Sequence, residues 1–87
     1  MMNFETGGLV ISRAGHDKDN VYMIIGQEDD FLYLADGRLR PLDRPKKKRK
    51  KHVQLMRAAV PEESRSDDAA LRHFLKSYGG NGCQNLM

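Results

Sequence analysis

Apolar and polar residues alternate along the first half of the chain, and apolar residues recur at helical spacing near its end. Gly8 to Arg13 (GLVISR) places Leu9 and Ile11 on one face of an extended segment, with Val10 and Ser12 opposite. Ala14 to Asn20 is turn chemistry, with Gly15 near its start. Val21 to Ile25 (VYMII) predicts a second strand, rich in β-branched and aromatic residues, and Gln27 to Asp30 a polar hairpin loop. Phe31 to Ala35 (FLYLA) predicts a third strand. Asp36-Gly37 then reads as a two-residue type I′ turn, which needs positive φ at both positions; Asp tolerates this and Gly accepts it freely. Arg38-Leu39-Arg40 is the returning strand, short or at an edge because Pro41 removes a ladder donor. His52 to Met56 (HVQLM) makes a fifth strand, with Val53 and Leu55 on one face. Five short strands joined by tight turns suggest a small closed or half-closed barrel.

After Val60-Pro61 the period changes. Ser66 followed by Asp67 and Asp68 reads as an N-cap with acids in the first turn, where the helix dipole favours them. Leu71, Phe74, Leu75 and Tyr78 fall at i, i+3, i+4 and i+7, the stripe of an amphipathic helix. Lys76 sits in the last turn, and Gly79-Gly80 ends the helix. Three turns are too few for a stable isolated helix, so the stripe is expected to pack on the strands. The chain therefore divides into a barrel over residues 1–60, a helix over 61–79 and a flexible tail over 80–87.

Size and composition narrow the function. A chain of 87 residues supports one modest core, which argues against a two-domain enzyme with an enclosed cleft. At 39% hydrophobic residues it is too apolar for a wholly disordered protein. Its one cysteine, Cys83, excludes an internal disulfide framework and has no His or second Cys at metal-ligand spacing. The longest unbroken apolar runs, Val21 to Ile25 and Phe31 to Ala35, are five residues, whereas a membrane span needs about 20. Met1 to Glu5 lacks the basic start and apolar block of a secretory signal. A cytoplasmic protein is expected, with no membrane partner.

The net charge of +3 hides a strong segregation: residues 1–37 carry −5, residues 38–57 carry +9 and residues 58–87 carry −1. The run Arg44-Pro45-Lys46-Lys47-Lys48-Arg49-Lys50-Lys51-His52 contains six consecutive cations, whose mutual repulsion predicts an exposed arm or loop. Against phosphate the same density is favourable, because each contact releases a condensed counterion. A solvated linker and a basic nuclear-import address are the alternatives for this run. Arg38 and Arg40 extend the positive surface on one strand face, and Arg13, His16 and Lys18 border the first turn. Lys18 serves equally well to offset Asp17 and Asp19. Catalysis finds no support, since His16, His52 and His73 are scattered and no nucleophile or carboxylate stands at a recognisable spacing from them. The paired acids Glu28-Asp29-Asp30, Glu62-Glu63 and Asp67-Asp68 read as loop and helix-start residues, so neither metal nor cofactor is expected.

Gly8 to Ala35 resembles a KOW motif, a strand–loop–strand unit with alternating apolar residues around one key glycine, here Gly15 in Ala14-Gly15-His16-Asp17-Lys18. The continuation Ala35-Asp36-Gly37-Arg38-Leu39-Arg40, then Pro45 and the lysine-rich run into His52, resembles the small bacterial KOW-domain RNA-binding proteins. These are similar to an archaeal and eukaryotic large-subunit ribosomal protein. The resemblance spans residues 8 to 56 and extends to a short C-terminal helix. It implies a mainly β, SH3-like five-stranded barrel with one C-terminal amphipathic α-helix. It also implies a non-catalytic, ribosome-associated protein, monomeric when free, that binds RNA (ribosomal RNA foremost) and possible ribosomal-protein neighbours. The RNA-binding roles fall on Arg13, His16 and Lys18, on Arg38 and Arg40, and on Arg44, Lys46, Lys47, Lys48, Arg49, Lys50, Lys51 and His52. Where the family loop often has a second glycine after the lysine, this chain has Asp19, which brings negative charge toward an approaching phosphate. KOW and related barrels also occur in transcription factors of the NusG type, which contact protein. On that alternative Tyr22, Phe31 and Tyr33 form an exposed groove for a peptide or a methylated side chain.

Overall fold

The computed structural model describes residues 4–78. Five antiparallel strands, β1 (Gly8–Ser12), β2 (Val21–Glu28), β3 (Phe31–Ala35), β4 (Lys46–Arg49) and β5 (Val53–Ala59), are followed by one helix, α1 (Asp68–Lys76). The ladder order is β4-β3-β2-β1-β5, with β4 and β5 at the edges. No ladder joins those two edges among the described residues, so hydrogen bonding does not close the sheet into a barrel.

Strand alternation sorts the apolar residues into two clusters. Leu9, Val21, Met23 and Ala35 lie on the face that α1 covers with Leu71 and Leu75, and Val60 completes that cluster. Phe74 and Leu42 pack at its margin, so the phenyl ring flanks the core that the stripe assigns to it. Val10, Tyr22, Ile24, Leu32 and Leu34 form the second cluster, against which Phe4, Val53 and Leu55 pack. Among the described residues no helix contributes to this second cluster, yet all five residues are almost wholly buried. The sheet therefore curls over its own side chains, as strongly twisted small sheets do.

Several elements differ from the sequence expectation. β2 continues three residues past Ile25, pairing Gln27 with Leu32 and Glu28 with Phe31, because a solvated hairpin end is as polar as a loop. Asp29, at φ 51, takes the left-handed conformation that the tight turn requires. β5 likewise runs on to Ala59. Arg38-Leu39-Arg40 forms no strand. Asp36 is buried, and its Oδ1 accepts from the N–H groups of Arg38 and Arg40, both at 2.9 Å. That carboxylate satisfies the amides a ladder would have used. Gly37 has φ 77 but Asp36 is not left-handed, so the turn is not type I′. Asp67, one residue later than expected, is the N-cap of α1 and accepts from the Ala70 N–H at 2.9 Å. The expected Gly79-Gly80 stop and the tail over 80–87 lie outside the described residues.

Candidate nucleic-acid interface

The lysine-rich run does not form an arm. Its centre is β4, which pairs with β3 in the register Phe31↔Arg49, Leu32↔Lys48, Tyr33↔Lys47 and Leu34↔Lys46. Lysine is a poor strand former, so the strand requires a reason that propensity does not supply. Alternation provides it by sending neighbouring cations to opposite faces.

Lys46 and Lys48 turn inward and share one counterion. Asp17, carried by the glycine loop between β1 and β2, lies 3.2 Å from Lys46 Nζ and 3.1 Å from Lys48 Nζ. Lys48 Nζ also donates to the Ala14 carbonyl at 3.0 Å, and the Ser12 hydroxyl donates to Asp17 Oδ1 at 3.0 Å. Tyr22 approaches the other carboxylate oxygen with its hydroxyl at 3.3 Å. This cluster fastens edge strand β4 to the β1–β2 loop. Burial alone would raise the Asp17 pKa, but the Lys48, Lys46 and Ser12 donors outweigh it and hold the carboxyl at about 2. Burial pushes the Tyr22 hydroxyl up to about 12, with the Asp17 and Asp36 carboxylates adding to the effect.

The depressed Asp17 value fixes the sign of a pH effect. Folding favours the ionised form, so the contribution is fully present above the ordinary value of 3.8 and is lost as pH falls toward 2. The loss amounts to about 2 kcal/mol. Urea midpoints measured from pH 5 to pH 2 check this, and Asp17→Asn should flatten the curve between about pH 4 and pH 2.

Lys47 and Arg49 turn outward. Lys47 Nζ lies 4.5 Å from the centroid of the Phe31 ring and Arg49 Cζ lies 5.0 Å from it, while Lys50 Nζ stands 5.8 Å from the Phe4 ring. These are cation–π distances, and the rings hold the cations close without neutralising them. No carboxylate lies within ion-pair distance of Lys47, Arg49, Lys50 or Lys51 among the described residues. Arg49, Lys50 and Lys51 line a shallow cleft of about 320 Å³ with Asp30 at its edge.

A second open groove, of about 380 Å³, lies where the glycine loop meets the 36–40 loop. His16, Asn20, Arg40 and Lys46 line it, Tyr22 and Asp17 form its floor, and Leu39, 66% exposed, stands at its lip. His16 and Arg40 thus come together with Lys46, the one residue of the basic run that lines this groove. Arg13 does not join them: its guanidinium donates to Gln54 Oε1 at 2.6 and 3.0 Å and pairs with Asp19 at 3.5 Å. Lys18, Arg38 and Arg44 are exposed, and the half-buried His52 contributes its carbonyl to the Arg13 N–H. Tyr22 lies in the cluster on the face opposite Phe31 and Tyr33, so the three aromatics share no groove. The residues missed by sequence reasoning are Asp17 as counterion and Phe31 as the ring beneath Lys47 and Arg49. Alternation of Phe31 and Tyr33 with Leu32 and Leu34 carried part of that signal; the pairing with β4 did not show.

No helix among the described residues is long and apolar enough to cross a membrane. Among those residues no three His, Cys, Asp or Glu side chains cluster as metal ligands would. No family model matches the chain, and no curated protein matches it.

Proposed function

We propose that this protein is a non-catalytic, KOW-type RNA-binding protein that acts in the cytoplasm in association with the ribosome. The observation that carries the proposal is the division of labour in β4. Asp17 pairs with both inward lysines, whereas Lys47 and Arg49 project from a rigid strand beside Lys50 and Lys51 without a carboxylate partner among the described residues. Cations held on a strand lose less conformational freedom on binding phosphate than the same cations on a loose arm. The curled sheet with two bulges, one in β5 opposite Gly8–Val10 and one at Ile24–Gly26 in β2, is the geometry an SH3-like barrel would have. Phosphate contacts of this kind position a protein and carry little base information, so specificity would come from RNA shape.

Binding of a structured ribosomal RNA fragment, followed by fluorescence anisotropy across salt concentrations, tests this. With Arg40, Lys47, Arg49, Lys50 and Lys51 as contacts, the log–log slope should be near −4, at roughly 0.7–0.9 per phosphate. Changing Lys47, Lys50 and Lys51 together to Gln should flatten the slope by about two units and leave the urea midpoint unchanged. A wild-type protein that binds no RNA at low salt, or a triple variant with the wild-type slope, sinks the proposal. Ribosome association is read separately, from co-sedimentation with ribosomal particles through sucrose.

A further inference from the structure

The outward face beside α1 is ordered in three columns across the sheet. Register places Lys47, Tyr33 and Gly26 in one row, and Arg49, Phe31 and Glu28 in the next. Cations therefore stand on β4, aromatic rings on β3, and a glycine and a carboxylate on β2. The bulge in β2 creates this order: Ile25 is the extra residue, and it switches Gly26 and Glu28 to the side of Tyr33 and Phe31. A Cβ built on Gly26 meets nothing within 4 Å, so an open notch lies beside Tyr33. Phe31 and Tyr33 are half-buried, and the Tyr33 hydroxyl donates to Glu28 Oε1 at 2.6 Å, which pins the ring.

Building on the RNA-binding reading above, we propose that this face is a stacking platform for two unpaired bases of a single-stranded RNA segment. The sugar–phosphate chain runs along β4, and the bases lie over Phe31 and Tyr33 toward the Gly26 notch. Charge sets that polarity. Phosphates are drawn to Lys47 and Arg49 and repelled by Glu28, while the Glu28 carboxylate accepts hydrogen bonds from base N–H groups. The two ring rows are separated by two strand residues, about 6.6 Å. That is twice the ~3.4 Å step of one strand in a stacked duplex, so the platform fits bases splayed from the stack and not a continuous helix. Stacking is also an exchange: a base that covers Phe31 displaces a cation from the ring, and that cation finds the adjacent phosphate. A glycine in mid-strand marks close approach of a ligand, and here it leaves the base edge room.

The test compares a short oligouridylate, an abasic chain of equal length and an RNA duplex, all binding the full-length protein. Oligouridylate is expected to bind about tenfold more tightly than the abasic chain. Gly26→Val, which fits the open space and favours a strand, should keep the urea midpoint and reduce that ratio toward one. The double variant Phe31→Leu/Tyr33→Leu should do the same with the salt slope retained. Equal wild-type affinity for oligouridylate and the abasic chain overturns the platform, as does a ratio that survives in both variants. Binding of the duplex alone overturns the platform and leaves the phosphate-gripping function standing; binding of none of the three overturns both. An acidic peptide that competes as well as oligouridylate also overturns it, because a carboxylate chain offers charge without bases.

Discussion

Replacing Gly37 with alanine or valine is expected to destabilise the protein by more than about 3 kcal/mol. Two effects combine at this position. The backbone has φ 77, where a side chain is strained and a β-branched one more so. A Cβ there would also run into the Asp68 carbonyl oxygen and come within 3.0 Å of the Arg72 amide nitrogen, both backbone atoms of α1. Backbone cannot swing aside as a side-chain tip can, so α1 must lift from the sheet. That would loosen three anchors: the Gly37 carbonyl accepting from Arg72 Nη1 at 3.0 Å, the Leu42 N–H donating to Asp68 Oδ1 at 2.8 Å, and the burial of Leu71 and Leu75. Alanine separates the two effects. A turn that required only positive φ would tolerate alanine at about 1 kcal/mol, whereas a helix seated on Gly37 excludes any Cβ. Urea midpoints for both variants decide it: a small loss for alanine would show that α1 does not rest on this glycine.

The same position shows what sequence can and cannot reveal. Asp36-Gly37 is recognisable as a turn because its chemistry is local. The seat it provides for α1 is not, because the atoms that meet Gly37 come from residues 68 and 72. Apolar runs located the strands that carry Leu9, Val21, Met23, Leu32 and Leu34, and periodicity located the stripe of α1, since burial on one helix face imposes its period directly. It misjudged Arg38-Leu39-Arg40, where alternation mimics a strand but the Asp36 side chain takes both amides. It misjudged the basic run for the opposite reason. Six cations in sequence predict repulsion only while their counterion is unknown, and Asp17 lies about thirty residues away. Residues that contact each other across such a separation leave no local pattern. The candidate interface was therefore legible as composition, but its two-sided geometry was not.

Asp17→Asn is the second large effect expected, a loss of about 3 kcal/mol at neutral pH. The cost arises from what the substitution leaves behind. The Lys48 and Asp17 side chains are each only 10% exposed, and an amide at residue 17 would strand the Lys48 ammonium with the Ala14 carbonyl as its chief remaining acceptor. Breaking a buried pair by removing one partner is costly, whereas removing both can be nearly neutral. A double-mutant cycle separates these terms. Lys48→Met keeps the length and apolar stem of the side chain, and Asp17 retains Lys46 and Ser12 as partners, so this single change should cost less than Asp17→Asn. The double variant Asp17→Asn/Lys48→Met should be more stable than Asp17→Asn alone, giving a coupling of about 1–3 kcal/mol in urea denaturation. The difference between wild type and Asp17→Asn should also shrink below pH 4, where the native carboxylate itself begins to protonate. Additive losses in the cycle would mean that Lys48 and Asp17 do not hold each other, and that Lys46 is the side chain by which β4 is tied to Asp17.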